Sequence, residues 1–193
     1  TQTLTIQKYV DGTTEPIEGV PFLVTDSSGA VVGVNDGEYV TDKNGRITLT
    51  DLVPGTTITA REIKTVEGFV LDGTPQSILI KSGDAQQLTF TNKKTGTLLI
   101  EKLDIITQEP LSGAQFKVLY EDGRVVDTGE GKLSSKGIYL TDSNGQIRIP
   151  RVTGTIVVTE EKAPEGYVID YTNKSQSVVI KPNETRTVRF YNE

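Results

Sequence analysis

The chain contains no cysteine and no histidine. Without thiols it can form neither disulfides nor thiolate metal sites. Without imidazole it lacks the usual general base and the commonest metal ligand, so Ser-His and Cys-His catalytic pairs are excluded outright. Methionine and tryptophan are also missing. No apolar run is long enough to cross a bilayer. The sequence has no signal peptide, which leaves a cytosolic protein or a mature or excised fragment. Positive charge is in deficit, with 20 Lys and Arg against 26 Asp and Glu and a net charge of −6. That argues against a nucleic-acid partner, whose phosphates need basic patches, and against direct polybasic contact with a membrane. There is no glycine-rich phosphate loop, and nothing in the chain calls for a cofactor.

What is present is Thr, Val, Ile and Gly, the composition of short strands joined by tight turns. The 193 residues suit one large domain or two small ones, and internal repetition decides for two. LTIQKYVDGTTEPIEGVPFLV from Leu4 resembles LLIEKLDIITQEPLSGAQFKV from Leu98. TDKNGRITL at Thr41 resembles TDSNGQIRI at Thr141. EIKTVEGFV at Glu62 resembles EEKAPEGYV at Glu160, and LTFTN at Leu88 resembles VRFYN at Val188. All four matches keep their order. They predict an all-β chain of two tandem Ig-like β-sandwiches, with domains at 1–93 and 94–193. The linker around Asn92–Gly96 is short and polar, which predicts restricted motion between domains.

Period-2 alternation predicts strands near 3–9, 20–25, 30–34, 38–41, 46–51, 57–63, 77–81 and 86–92. In the second copy it predicts 97–104, 114–120, 124–128, 137–141, 146–150, 155–161, 176–181 and 185–192. Lys43-Asn44-Gly45 and Ser143-Asn144-Gly145 read as Asn-Gly hairpins with both central residues at positive φ. Pro54-Gly55 marks another turn. No long amphipathic helix is expected, only short helical turns near Leu71–Gln76 or Asp170–Lys174. The DxNG segments lack the further ligands and flanking helices of a calcium loop.

Successive side chains on a strand alternate faces. Lys8 therefore extends the inward row of Leu4 and Ile6, and Lys102 that of Leu98 and Ile100. Asn92 follows Leu88 and Phe90, as Asn192 follows Val188 and Phe190. Glu62 follows Ile58 and Ala60, as Glu160 follows Ile156 and Val158, whereas Glu161 faces outward. Each unit thus aims one Lys, one Glu and one Asn into its core, all types seldom buried without partners. A buried ion pair with an asparagine hydrogen bond accounts for them. So does a position at strand ends, where the face reaches water, with Asn192 the clearest case.

The same residues carry a family resemblance along the whole chain. EEKAPEGY at Glu160 resembles the E-box of Cna B-type domains, the prealbumin-like sandwiches of Gram-positive pilins and surface adhesins. IEKLD at Ile100 is similar to that family's first-strand lysine motif, and FYN at Phe190 to its last-strand asparagine. The first unit departs from the pattern in EIKTVEGF, which lacks Ala-Pro but keeps Glu62, Gly68 and Phe69. IQKYV supplies Lys8 and FTN supplies Asn92. The resemblance implies intramolecular isopeptide bonds Lys8–Asn92 and Lys102–Asn192, with Glu62 and Glu160 as the catalytic carboxyls. Burial favours a neutral amine in a lysine and a protonated carboxyl in a glutamate, the states such chemistry uses. One turnover per molecule is not an enzyme.

The expected function is a stalk segment of an extracellular, cell-wall-anchored surface protein or pilin, with the anchor outside this fragment. No LPxTG-like or YPK motif is present, which favours a stalk over a polymerising shaft. Expected partners are neighbouring domains of the same surface protein or pilus. The alternative is an adhesin holding a host extracellular-matrix protein or glycan through loops Gly33–Glu38 or Thr128–Gly137. Adjacent acidic residues such as Glu160-Glu161 face opposite ways and cannot form a glycosidase dyad.

Overall fold

The computed structural model describes residues 2–193; Thr1, at the head of the expected 1–93 domain, lies outside the described residues. Contacts divide the chain after Lys94. In unit 1 the strands are β1 (Gln2–Val10), β2 (Pro21–Asp26), β3 (Glu38–Val40), β4 (Arg46–Leu52), β5 (Thr57–Glu62), β6 (Gln76–Leu79) and β7 (Ala85–Asn92). They form two sheets, β4-β1-β7 and β3-β2-β5-β6. Unit 2 has β8 (Gly96–Asp104), β9 (Gln115–Tyr120), β10 (Lys132–Ser134), β11 (Ile138–Leu140), β12 (Gln146–Val152), β13 (Gly154–Lys162), β14 (Ser175–Ile180) and β15 (Thr185–Asn192). Its sheets are β12-β8-β15 and β10-β11-β9-β13-β14.

In both units the first and last strands are parallel neighbours, β1 with β7 and β8 with β15. The other pairings are antiparallel. Parallel neighbours need a long crossover, and here the crossover is the rest of the unit. The inward rows meet between the sheets as expected. Leu4, Ile6, Phe22, Val24, Ile58, Ala60, Leu88 and Phe90 are core in unit 1, and Leu98, Ile100, Phe116, Val118, Ile156, Val158, Val188 and Phe190 in unit 2.

Several expectations are corrected. Segments 30–34 and 124–128 are not strands and make only single bridges, Thr25↔Val31 and Leu119↔Val125. Backbone bonds Val32 to Val24 and Val126 to Val118 hold them briefly. In unit 1, Gly33 at φ 77 then turns the chain away. Neither 71–76 nor 170–174 is helical; the second is a turn closed by the Asn173 N–H on the Asp170 carbonyl at 3.1 Å. The 3-10 turn lies instead at Asn35–Gly37. Residues 128–137 are not a free loop, because β10 pairs with β11 inside them.

The Asn-Gly turns also differ in type. Gly45 and Gly145 take positive φ, but Asn44 and Asn144 do not. The Asp42 and Asp142 carboxylates each accept two backbone N–H groups across the turn, the Asx arrangement that stabilises a longer loop. Gln7, which alternation with Ile6 and Lys8 would turn outward, is buried. Its Nε2 donates to the Asn44 carbonyl at 2.8 Å and its Oε1 accepts from Arg46 Nε at 2.7 Å, so the hairpin and the arginine cover it.

Candidate functional site

Lys8 (β1) and Asn92 (β7) lie on adjacent strands of one sheet, and Glu62 (β5) faces them from the other. Lys8 sits opposite Phe90 in the register, so Asn92 is its diagonal neighbour on the same face. Such diagonal positions lie roughly 7–8 Å apart, within reach of a long side chain. Lys102 opposite Phe190, with Asn192 two residues on, repeats the geometry in unit 2, and Glu160 reaches in from β13.

Each turn glycine backs its lysine. Lys8 N–H donates to the Gly45 carbonyl and Lys102 N–H to that of Gly145, both at 2.7 Å. A Cβ at Gly45 would lie 2.5 Å from the Lys8 carbonyl oxygen, and one at Gly145 would lie 2.7 Å from that of Lys102. Only glycine permits this approach together with positive φ. The DxNG repeat is therefore a support for the lysine strand.

All six side chains are buried: Lys8 and Lys102 at 0% exposure, Glu62, Asn92 and Asn192 at 1%, and Glu160 at 3%. The strand-end alternative fails even for Asn192. In unit 2, Glu160 Oε1 accepts from Lys102 Nζ at 3.0 Å and from Asn192 Nδ2 at 3.2 Å. Asn192 Nδ2 also donates to the Val168 carbonyl at 3.0 Å. Glu160 Oε2 and Asn192 Oδ1 make no hydrogen bond.

In unit 1 the two carboxylate oxygens divide the work. Lys8 Nζ stands 3.3 Å from Glu62 Oε1, at ion-pair distance but not aligned as a hydrogen bond. Glu62 Oε2 accepts from Asn92 Nδ2 at 2.8 Å and from the Asp72 backbone N–H at 3.0 Å. Asn92 Nδ2 also donates to the Val70 carbonyl at 2.9 Å. Thr65 Oγ1 approaches Asn92 Oδ1 at 3.5 Å.

An edge-on phenylalanine pair walls each site. Phe22–Phe90 and Phe116–Phe190 both have centroids 4.8 Å apart at 63°. Burial pushes both lysines below the ordinary lysine pKa, and the facing glutamate opposes that shift without cancelling it.

The loop after the glutamate strand opens with the same turn in both units. Tyr167 N–H donates to the Pro164 carbonyl at 3.0 Å and Phe69 N–H to that of Val66 at 3.3 Å. Val66 thus does the work of the absent proline. Tyr167 Oη donates to Asp104 Oδ2 at 2.9 Å. In unit 1 the matching positions are Phe69 and Val10; Val10 belongs to the apolar cluster and Phe69 packs against it. Among the described residues no group of three or more acidic, His or Cys side chains is placed to hold a metal, and no helix is long and apolar enough to cross a membrane.

The family model for the SpaA prealbumin-like fold domain matches residues 2–94 and again residues 96–193. The chain belongs to that family. It carries two SpaA prealbumin-like domains in tandem, and the Lys, Glu and Asn trio sits at the same place in each. By sequence the chain matches no curated protein.

Solved structures with this fold include a streptococcal ancillary pilin, 23% identical with a TM-score of 0.55; the match covers 99% of this chain and 61% of that one. The shaft pilin SpaA of Lactobacillus rhamnosus GG is 18% identical at a TM-score of 0.54, covering 100% and 97%. The Bacillus anthracis TIE protein is 26% identical at 0.48, covering 99% and 33%. The chain thus spans about a third of one of these proteins and under two thirds of another. Both pilins share the prealbumin-like architecture described above.

Proposed function

We propose that each SpaA domain closes itself with an isopeptide bond, Lys8 to Asn92 and Lys102 to Asn192, assisted by Glu62 and Glu160. The observation that carries this reading is one carboxylate touching both the amine that would attack and the amide nitrogen that would leave. In unit 2 a single oxygen does both, at 3.0 and 3.2 Å.

The neutral lysine amine attacks the asparagine Cγ, forming a C–N bond. The carboxyl takes the proton that the amine sheds and delivers one to Nδ2. The Cγ–Nδ2 bond breaks, ammonia departs, and the carboxyl regains its starting state. Folding supplies the proximity, and burial supplies the neutral amine. Nothing turns over, so the protein is not an enzyme in the ordinary sense.

The function this chemistry serves is a stalk segment of a bacterial cell-surface protein or pilus, in contact with neighbouring domains of the same assembly. Lys8 and Asn92 lie near the same ends of parallel strands. Tension entering at β1 and leaving after β7 crosses the bond and bypasses residues 9–91. The same holds for β8 and β15. With no cysteine, such a bond replaces the disulfide of other exported domains.

The test is intact mass of denatured Lys102→Ala and Glu160→Ala chains. After allowing for the substitution, each is expected to be one ammonia heavier than the wild type, with the unit 1 bond retained. Variants that show no such difference contradict the assignment of those residues.

A further inference from the structure

The two three-stranded sheets differ at one edge. In unit 2 the edge strand β12 is covered by the chain's own segment 129–132. Glu130 N–H donates to the Arg148 carbonyl at 2.9 Å, and Arg148 Nη1 donates to Glu130 Oε1 at 3.2 Å. Gly129 N–H donates to Tyr139 Oη at 3.2 Å. Two residues along, Pro150 has no N–H to offer. The edge is both covered and blocked, as exposed strand edges generally are.

Unit 1 has neither device. Its connection from β2 to β3 spans only 27–37, against 121–137 between β9 and β11, and it has no counterpart of β10. Thr48 occupies the register of Arg148, opposite Thr5 as Arg148 is opposite Leu99. Its carbonyl is therefore turned away from β1, as that of Arg148 is turned away from β8. Among the described residues no loop backbone group bonds to Thr48 or Thr50. Thr50 replaces Pro150 and keeps its N–H. Beside this edge runs an open groove of about 440 Å³, between Val32, Val34 and Tyr39 on one side and Thr48–Leu52 on the other. Tyr39 Oη donates to the Val32 carbonyl at 2.8 Å, as Tyr139 Oη does to that of Val126 at 2.7 Å.

Charge states which strand fits. In unit 2 the edge carries Arg148 and Arg151, and the covering segment answers with Glu130. In unit 1 Thr48 and Asp51 stand in those places, and Asp36, in the turn before β3, and Glu38, at the start of β3, are exposed. β4 keeps one cation, Arg46, whose Nε is committed to Gln7, so the arginine pair of the unit 2 edge gives way to a single carboxylate, Asp51, beside the groove.

We propose that the free β4 edge of unit 1 binds an extended, basic peptide segment of a partner protein. The segment adds as a fourth strand, where residues 129–132 lie in unit 2. Its backbone pairs with Thr48 and Thr50, its side chains enter the groove, and a lysine or arginine faces Asp51.

The experiment titrates the isotope-labelled two-unit chain with two synthetic peptides. One copies residues 128–134, TGEGKLS, and the other carries Glu130→Lys. The lysine peptide is expected to shift the amide signals of Tyr39, Thr48 and Thr50 and to slow their exchange. It is expected to bind about fivefold tighter than the glutamate peptide, the scale of one exposed charge pair. Asp51→Arg reverses that preference; Arg151 already holds the same backbone angle, φ 57 against φ 59 for Asp51. Thr50→Pro abolishes binding, and Pro150 shows that the strand accommodates proline there.

Unshifted Thr48 and Thr50 signals with both peptides overturn the proposal. So does binding that survives Thr50→Pro, or a preference that ignores Asp51→Arg in a variant whose other signals match the wild type. Peptide-free self-association that Thr50→Pro removes, read by sedimentation, also overturns it, since the occupant is then a second copy of the chain.

Discussion

Asn192→Ala isolates the energetic worth of closing unit 2. The substitution removes the electrophile but leaves Lys102 hydrogen-bonded to Glu160 at 3.0 Å, so no buried charge loses its partner. The bond that no longer forms would enclose residues 103–191. Loop-closure entropy for a crosslink of that span contributes about 4–5 kcal/mol through the unfolded state. For a domain of this size about 1 kcal/mol moves Tm by roughly 5 °C. The unit 2 transition is expected to fall by roughly 20–25 °C in differential scanning calorimetry, with the unit 1 transition unmoved. A fall under about 5 °C, in a variant whose mass shows the bond lost, refutes the reasoning that loop closure stabilises the domain.

Two further outcomes follow from the site. In Asn192→Ala the free Lys102 amine has a folded-state pKa below its unfolded value. Below the folded pKa the buried ammonium carries its full penalty. That penalty is relieved as pH rises through the folded pKa toward 10.5. Denaturant titrations of the variant should therefore show unit 2 gaining stability over that window, and a flat or falling profile contradicts a depressed lysine. Gly145→Ala forces a Cβ to 2.7 Å from the Lys102 carbonyl oxygen at φ 70. It is expected to cost about 1–3 kcal/mol and to slow ammonia loss from unit 2 in a refolding time course read by mass. Equal rates in the variant and the wild type refute the role of the turn in holding the lysine strand.

The strands and the trio were legible because both rest on period-2 alternation. Lys8, Glu62 and Asn92 continue apolar rows, and a continued row fixes the face. The partners that complete the site were not legible. The Val70 and Val168 carbonyls and the Asp72 N–H come from segments 63–75 and 163–174, which lack regular pairing and carry no periodic signal. The buried Gln7 violates its row because a hairpin and Arg46 fold over it, a contact made at long range. The strand β10 hides in TGEGKLSSKG because it is three residues long and takes its hydrogen bonds from β11. A polar composition suited to a loop cannot announce such pairing. The duplicated Thr41 and Thr141 were visible as repeats, but not their task. Each hydroxyl donates to a carbonyl, Ile17 or Leu111, and accepts an N–H, from Val20 or Ala114. In this way each ties the segment after the lysine strand to the core.

The central claim is that two amines, each held against a carboxyl beside an asparagine, have become amides. Intact mass spectrometry of the denatured wild-type chain tests it most directly. The account predicts the sequence mass less two ammonia molecules, with fragment ions joining Lys8 to Asn92 and Lys102 to Asn192. A chain at the full sequence mass contradicts it.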